Sequence, residues 1–169
     1  MNQKREGEKP PKAPRAINQG PHSDVAQTRR SLYQNALGKV SAALNDGYAI
    51  EAVTLLESMI ADRLEARRAK IHSQKLEKRK SPLLIPLIDE LCGNNAGESD
   101  TAKELYEEVR TWTEARNTAI HQMVKLPENS VKRWDEKYAE ARITAESGLD
   151  LFRRLDTKIK ELNRHRVTE

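Results

Sequence analysis

Arg116, Asn117 and His121 stand close together in the stretch EARNTAIHQMVK, residues 114–125. Arginine offers a planar fork of donors that stays charged at any working pH. Imidazole, with an unperturbed pKa of about 6.5, takes or gives a proton near neutrality. Asn117 and His121 are four residues apart and share one face of a helix, while Arg116 stands beside them with a side chain long enough to bend to the same point. A cation, an amide and an imidazole so placed can hold an anionic group such as a phosphate and move a proton at it.

The helix that carries them has to be placed first. On a wheel of about 100° per residue with Leu105 at zero, Val109, Trp112, Ala119 and Met123 fall within about 40° of it and form the apolar stripe. Arg116 falls at about 20°, inside that stripe, whereas Asn117 and His121 lie at about 120° and 160°, along one border. An unpaired guanidinium is costly to bury, so Arg116 must snorkel, pair with an acid, or face a wet cleft or subunit boundary.

The other apolar periodicities predict a bundle around this helix. A first helix should start near Ser23 or Asp24 and end near Asn45, with Val25, Leu32, Ala36, Val40 and Leu44 on its inner face. A second, from about Tyr48, carries Ala52, Leu56, Met59, Ile60 and Leu64 and runs into a basic stretch. Ser81-Pro82 opens a short third helix that Gly93 stops. Thr101 and Glu104 make a candidate capping box for the helix of Arg116, which should reach about Lys125 before Leu126-Pro127. A long last helix, about Asn129 to Asn163, aligns Val131, Trp134, Tyr138, Ile143, Leu149, Phe152, Leu155, Ile159 and Leu162, and its C-terminal end is expected to project or to bind a partner. The expected fold is therefore all-α: an antiparallel helical bundle of four main helices plus a short helix.

Composition agrees with this. Of 169 residues, 33% are charged and only 4% aromatic, a balance that favours helices over sheets. The formal charge is +4, but residues 1–22 hold five basic and two acidic side chains, so only about +1 remains for residues 23–169. Residues 1–22 also hold four of the seven prolines and few large apolar side chains, and are expected to form a disordered basic leader. With no apolar run long enough to cross a bilayer and no signal-peptide core, the protein is expected to be soluble and cytoplasmic. Cys92 is the sole cysteine, which rules out an intrachain disulfide or a cysteine-based metal site; it is expected as a small core residue.

The hexapeptide RNTAIH, residues 116–121, resembles the ribonuclease motif of the HEPN superfamily, in which an arginine is followed after four to six residues by a histidine on a helix of a small all-α chain. A polar residue directly after the arginine, here Asn117, is common in that family. Residues 23–169 would then form a HEPN-like bundle. The resemblance implies metal-independent RNA cleavage, with no cofactor, by attack of the ribose 2′-hydroxyl on the adjacent phosphate. His121 would be the general acid or base, Arg116 would hold the scissile phosphate, and Asn117 would orient the histidine or donate to phosphate. It also implies a homodimer with two motifs across a cleft, service in toxin–antitoxin or phage-defence systems, and in such a setting a cognate inhibitor protein. Several toxin-type members carry a tyrosine two residues after the histidine, where this chain has Met123.

An acidic residue of the second helix often accompanies the motif in that family, and LLESMIADRLEARR offers Glu57 and Asp62, with Glu57 the preferred partner for Arg116. Between Arg63 and Lys80 there are eight Lys or Arg and two Glu. Such runs are commonly solvated helix faces; if the protein acts on RNA, Arg63, Arg67, Arg68 and Lys70 are the expected phosphate contacts. There is no glycine-rich phosphate loop, no HExxH and no sequence-local triad. The competing reading is a non-catalytic helical interaction or RNA-binding protein with a HEPN-like fold, in which Arg116 is a structural ion pair.

Overall fold

The computed structural model describes residues 24–72, 83–93, 97–121, 123, 125 and 132–165, and the leader expected at 1–22 lies outside them. Among the described residues there are five helices and no strand: α1 (Asp24–Asp46), α2 (Ala49–Ile71), α3 (Leu84–Cys92), α4 (Asp100–His121) and α5 (Trp134–His165). No helix among these residues is long and apolar enough to cross a membrane. The all-α bundle of four main helices and one short helix is the observed architecture.

α1 ends in a turn that only a left-handed residue closes. Gly47 has φ 85° and Tyr48 N–H donates to the Ala43 carbonyl at 2.6 Å, the six-to-one bond of a Schellman cap. The chain therefore reverses, and α2 returns antiparallel along α1. α2 is the central helix, packing against α1, α3 and α5. Burial on more than one side explains why Ala52, Val53, Leu56, Met59, Ile60 and Leu64 are all buried and why α2 shows little amphipathic contrast in sequence.

Pairwise contacts fix the directions. Arg67 of α2 meets Asn163 of α5, and the Ala49 amide meets the Tyr138 hydroxyl, so α2 and α5 run parallel. α4 runs against both, since Trp112 meets Thr144, Glu108 meets Arg154, and Arg116 meets Glu57. The core is built from Leu56, Ile60, Leu64, Leu87, Ile88, Leu91, Tyr106, Phe152, Leu155 and Ile159, each at most 2% exposed. Each such aliphatic or aromatic side chain contributes about 1.5–3 kcal/mol relative to exposure. A smaller cluster of Ala49, Ala119 and Ala141 lets α2, α4 and α5 approach closely at the end where α4 finishes.

Several expectations are corrected. The cap of α4 is Ser99, whose hydroxyl accepts from Ala102 N–H at 3.4 Å, two residues before Thr101 of the Thr101 and Glu104 pair. α4 ends at His121 rather than Lys125, and α5 begins at Trp134 rather than near Asn129. Leu32, Trp134 and Ile143, assigned to apolar stripes, are exposed. Leu32 sits about 80° from Val40 on α1, beyond the face that α2 covers. The end of α5 is docked up to Asn163, because Ile159 is buried and Asn163 accepts from Arg67 at 2.8 Å. Cys92 lies at the core's edge, half-buried, with its thiol donating to Glu107 Oε1 at 3.5 Å; burial pushes its pKa up. Ser81, Pro82, Val131 and the Leu126-Pro127 break fall outside the described residues.

Candidate functional site

The predicted stripe of α4 is observed: Leu105, Val109, Trp112, Ala119 and Met123 are all buried. Arg116, which shares that stripe, is held at its edge. Its guanidinium reaches from α4 to α2, where one terminal nitrogen pairs with Glu57 Oε2, and the side chains of the two residues are 17% and 26% exposed. The other terminal nitrogen donates to Asn117 Oδ1 at 2.6 Å. Arg116 Nε is buried and has no hydrogen-bond partner among the described residues. The acid preferred in sequence as the arginine's partner, Glu57, is thus the one that it meets.

The amide of Asn117 draws the guanidinium towards the face that Asn117 shares with His121. Both of those side chains are exposed. His121 closes the last turn of α4, where Lys137 of α5 donates to the Met123 carbonyl at 3.2 Å and also to the Lys125 carbonyl. That lysine satisfies carbonyls left open past the helix end and fixes how α4 finishes. The His121 side chain has no hydrogen bond or ion pair with any described residue, so it faces solvent beside an anchored arginine and amide. Such an arrangement has an open imidazole for proton transfer and a positioned cation, although part of that cation's charge is already answered by Glu57.

The remaining candidates are scattered. Asp62 is not at Arg116: it accepts from the Tyr33 hydroxyl of α1, about 140° around α2 from Glu57. Arg63 lies over the Tyr33 ring, 4.0 Å from its centroid, and is 2.7 Å from Asp156 of α5. Arg68 pairs with Glu90 of α3 at 3.2 Å. Lys70 is exposed.

Arg67, expected at phosphate, is instead in the core. Its side chain is 3% exposed and donates to Glu98 through Nε at 3.1 and 3.2 Å and through a terminal nitrogen at 2.5 Å. The Glu98 side chain is 0% exposed and accepts a further bond from the Tyr106 hydroxyl at 2.8 Å. Burial, first, and the adjoining Glu98 carboxylate, second, push the Tyr106 pKa well above the ordinary tyrosine value. This network ties α2, α4, α5 and the residues before α4 together at the end of the bundle away from His121. Glu98 in GESD reads as a loop acid, and no spacing marks it as buried. Arg67 did carry a signal, since it lies seven residues after Ile60 and three after Leu64, along the inner face of α2.

Among the described residues no three of His, Cys, Asp and Glu are grouped so as to hold a metal ion. Comparison with models of known families, with curated proteins and with solved structures gives no match to this chain.

Proposed function

We propose that this chain is a metal-independent endoribonuclease of the HEPN type, acting on RNA in the cytoplasm as a homodimer. The observation that carries this reading is the arrangement at the end of α4: Arg116, anchored by Glu57 and Asn117 at the rim of the core, with the open imidazole of His121 on the same terminal turns. In the proposed reaction His121 takes the proton from a ribose 2′-hydroxyl or gives one to the departing 5′-oxygen. The 2′-oxygen bonds to the adjacent phosphorus as the bond to the 5′-oxygen breaks, leaving a 2′,3′-cyclic phosphate and a 5′-hydroxyl. The guanidinium of Arg116 answers the charge that builds on the phosphate oxygens. A second copy would supply the second histidine, and a toxin or phage-defence setting would call for a cognate inhibitor.

The pairing of Arg116 also favours a second reading. A guanidinium whose two terminal nitrogens are already bonded serves equally well as a tie between α2 and α4 in a non-catalytic helical interaction protein. Cleavage of mixed cellular RNA in EDTA by wild type and by His121→Ala, with analysis of product ends, separates the two. Cyclic-phosphate ends formed by wild type and not by the variant uphold the ribonuclease reading. No cleavage by a folded, dimeric wild type favours the interaction reading.

A further inference from the structure

Of the seven aromatic residues, five are buried or half-buried, and two, Tyr48 and Trp134, stand 58% and 60% exposed. Their positions are related. Tyr48 precedes the first residue of α2, and Trp134 is the first residue of α5. Because those helices run parallel, both rings lie at one end of the bundle. Tyr138, one turn after Trp134, spans the gap between the two helix starts, its hydroxyl 3.5 Å from the Ala49 amide that donates to it.

α4 finishes at this same end. Ala119 packs with Ala49 and Ala141, and Lys137 holds the Met123 carbonyl, so His121, which lies between residues 119 and 123, is brought beside the starts of α2 and α5. Arg116 and His121 lie at the end of α4 with exposed Lys125 beyond it, exposed Asp46 and Glu51 flank Tyr48, and the cations beside Trp134 are paired, Arg133 with Asp135 at 3.2 Å and Lys132 with Glu140. A phosphate is drawn to the first group and repelled by the second, while an uncharged planar ring is accepted by the aromatic side.

We propose that Trp134 and Tyr48 stack an unpaired nucleobase of single-stranded RNA whose scissile phosphate sits at Arg116 and His121; this rests on the ribonuclease reading above. Aromatic faces suit any base, because stacking uses the π-face and not the hydrogen-bonding edge. Bases within a duplex are already stacked on their neighbours and cannot reach the rings. The site therefore selects unpaired RNA with little sequence preference.

Trp134 also supplies the readout, since the only other tryptophan, Trp112, is buried. The probe is a 2′-O-methyl oligonucleotide, which lacks the attacking hydroxyl, offered single-stranded and as a duplex; cleavage of unmodified single strands is measured alongside. The expected results are quenching of wild-type emission by the single strand alone, no such quenching in Trp134→Phe, and a KM raised roughly tenfold or more in Trp134→Ala with kcat little changed. Trp134→Phe should restore most of the KM, because a phenyl ring still stacks. Equal quenching by the duplex, or an unchanged KM in Trp134→Ala, overturns the proposal and leaves the ribonuclease reading intact. Quenching by the single strand without any cleavage removes the ribonuclease reading and overturns the placement of a scissile phosphate with it, leaving only a base-stacking face. Shielding of Trp134 from acrylamide that rises with protein concentration in the absence of RNA assigns the face to a second copy and overturns the proposal.

Discussion

Arg67 of α2 and Glu98, two residues before α4, meet as an ion pair with both side chains withdrawn from solvent. The pair is completed by Tyr106 and Asn163, so that each of its charges has further hydrogen bonds. Removing one partner leaves the other charge buried alone, which costs about 3–5 kcal/mol. Arg67→Met should therefore lower unfolding free energy by about that amount in urea, and adding Glu98→Gln should recover part of it. A loss under about 0.5 kcal/mol, the level of an ordinary surface substitution, would mean that the pair is not buried as described.

The same network predicts a dependence on alkaline pH. The folded-state pKa of Tyr106 is raised, chiefly by burial, so the folded protein keeps the phenolic proton that the unfolded chain releases near pH 10. The stabilisation is fully present below about pH 10 and falls as pH rises above it, by at most about 1.4 kcal/mol per pH unit. Melting measured between about pH 9 and 11 should thus fall more steeply for wild type than for Tyr106→Phe, which has no phenolic proton to keep. Parallel curves would count against a buried neutral tyrosine.

Gly148 of α5 faces the indole of Trp112. A Cβ built at that glycine would lie 2.6 Å from Trp112 Nε1, with two ring carbons at 2.7 and 2.8 Å. The indole cannot retreat freely, since its N–H donates to the Thr144 carbonyl at 2.9 Å. Gly148→Ala should cost about 1–3 kcal/mol by overpacking. Combined with Trp112→Phe, which shrinks the ring, the loss should be clearly less than additive.

The helices were legible in sequence because their apolar spacing is regular, and the stripe of α4 was recovered residue by residue. Segment ends were less so: Ser99 was hidden behind the more conspicuous Thr101 and Glu104 pair. The same rule that marks Arg116, a cation within an apolar stripe, applies equally to Arg67, but a motif lies beside Arg116 alone. Arg67 stood in a basic run, and such runs read as solvated faces. What separates the two arginines is where their acids lie: Glu57 is one helix away on a face that the wheel displays, whereas Glu98 sits in an irregular segment with no period to reveal its burial. Exposed Trp134 was unreadable for the opposite reason, since spacing alone does not say where the covering helices stop.

The sharpest test concerns Arg116 and Glu57, because both readings of the site use the same ion pair. The two side chains are partly exposed, so screening limits their coupling to about 1 kcal/mol in a double-mutant cycle of Arg116→Ala and Glu57→Ala. Stability alone therefore separates the readings poorly, and activity must be read with it. On the ribonuclease reading, His121→Ala should lose roughly 10²–10⁴-fold in cleavage rate with its melting temperature unchanged, because the imidazole is exposed and forms no hydrogen bond or ion pair with a described residue. Arg116→Ala should lose roughly 10²–10³-fold. Glu57→Gln should show a smaller loss, since a neutral amide still accepts a hydrogen bond from the guanidinium but holds it less firmly. The ordering is the decisive part: a purely structural tie makes Arg116→Ala and Glu57→Ala the damaging substitutions and His121→Ala silent. Finding His121→Ala silent in every RNA-dependent activity, with Arg116→Ala destabilised, would leave the ion pair as a strut between α2 and α4 and end the catalytic reading.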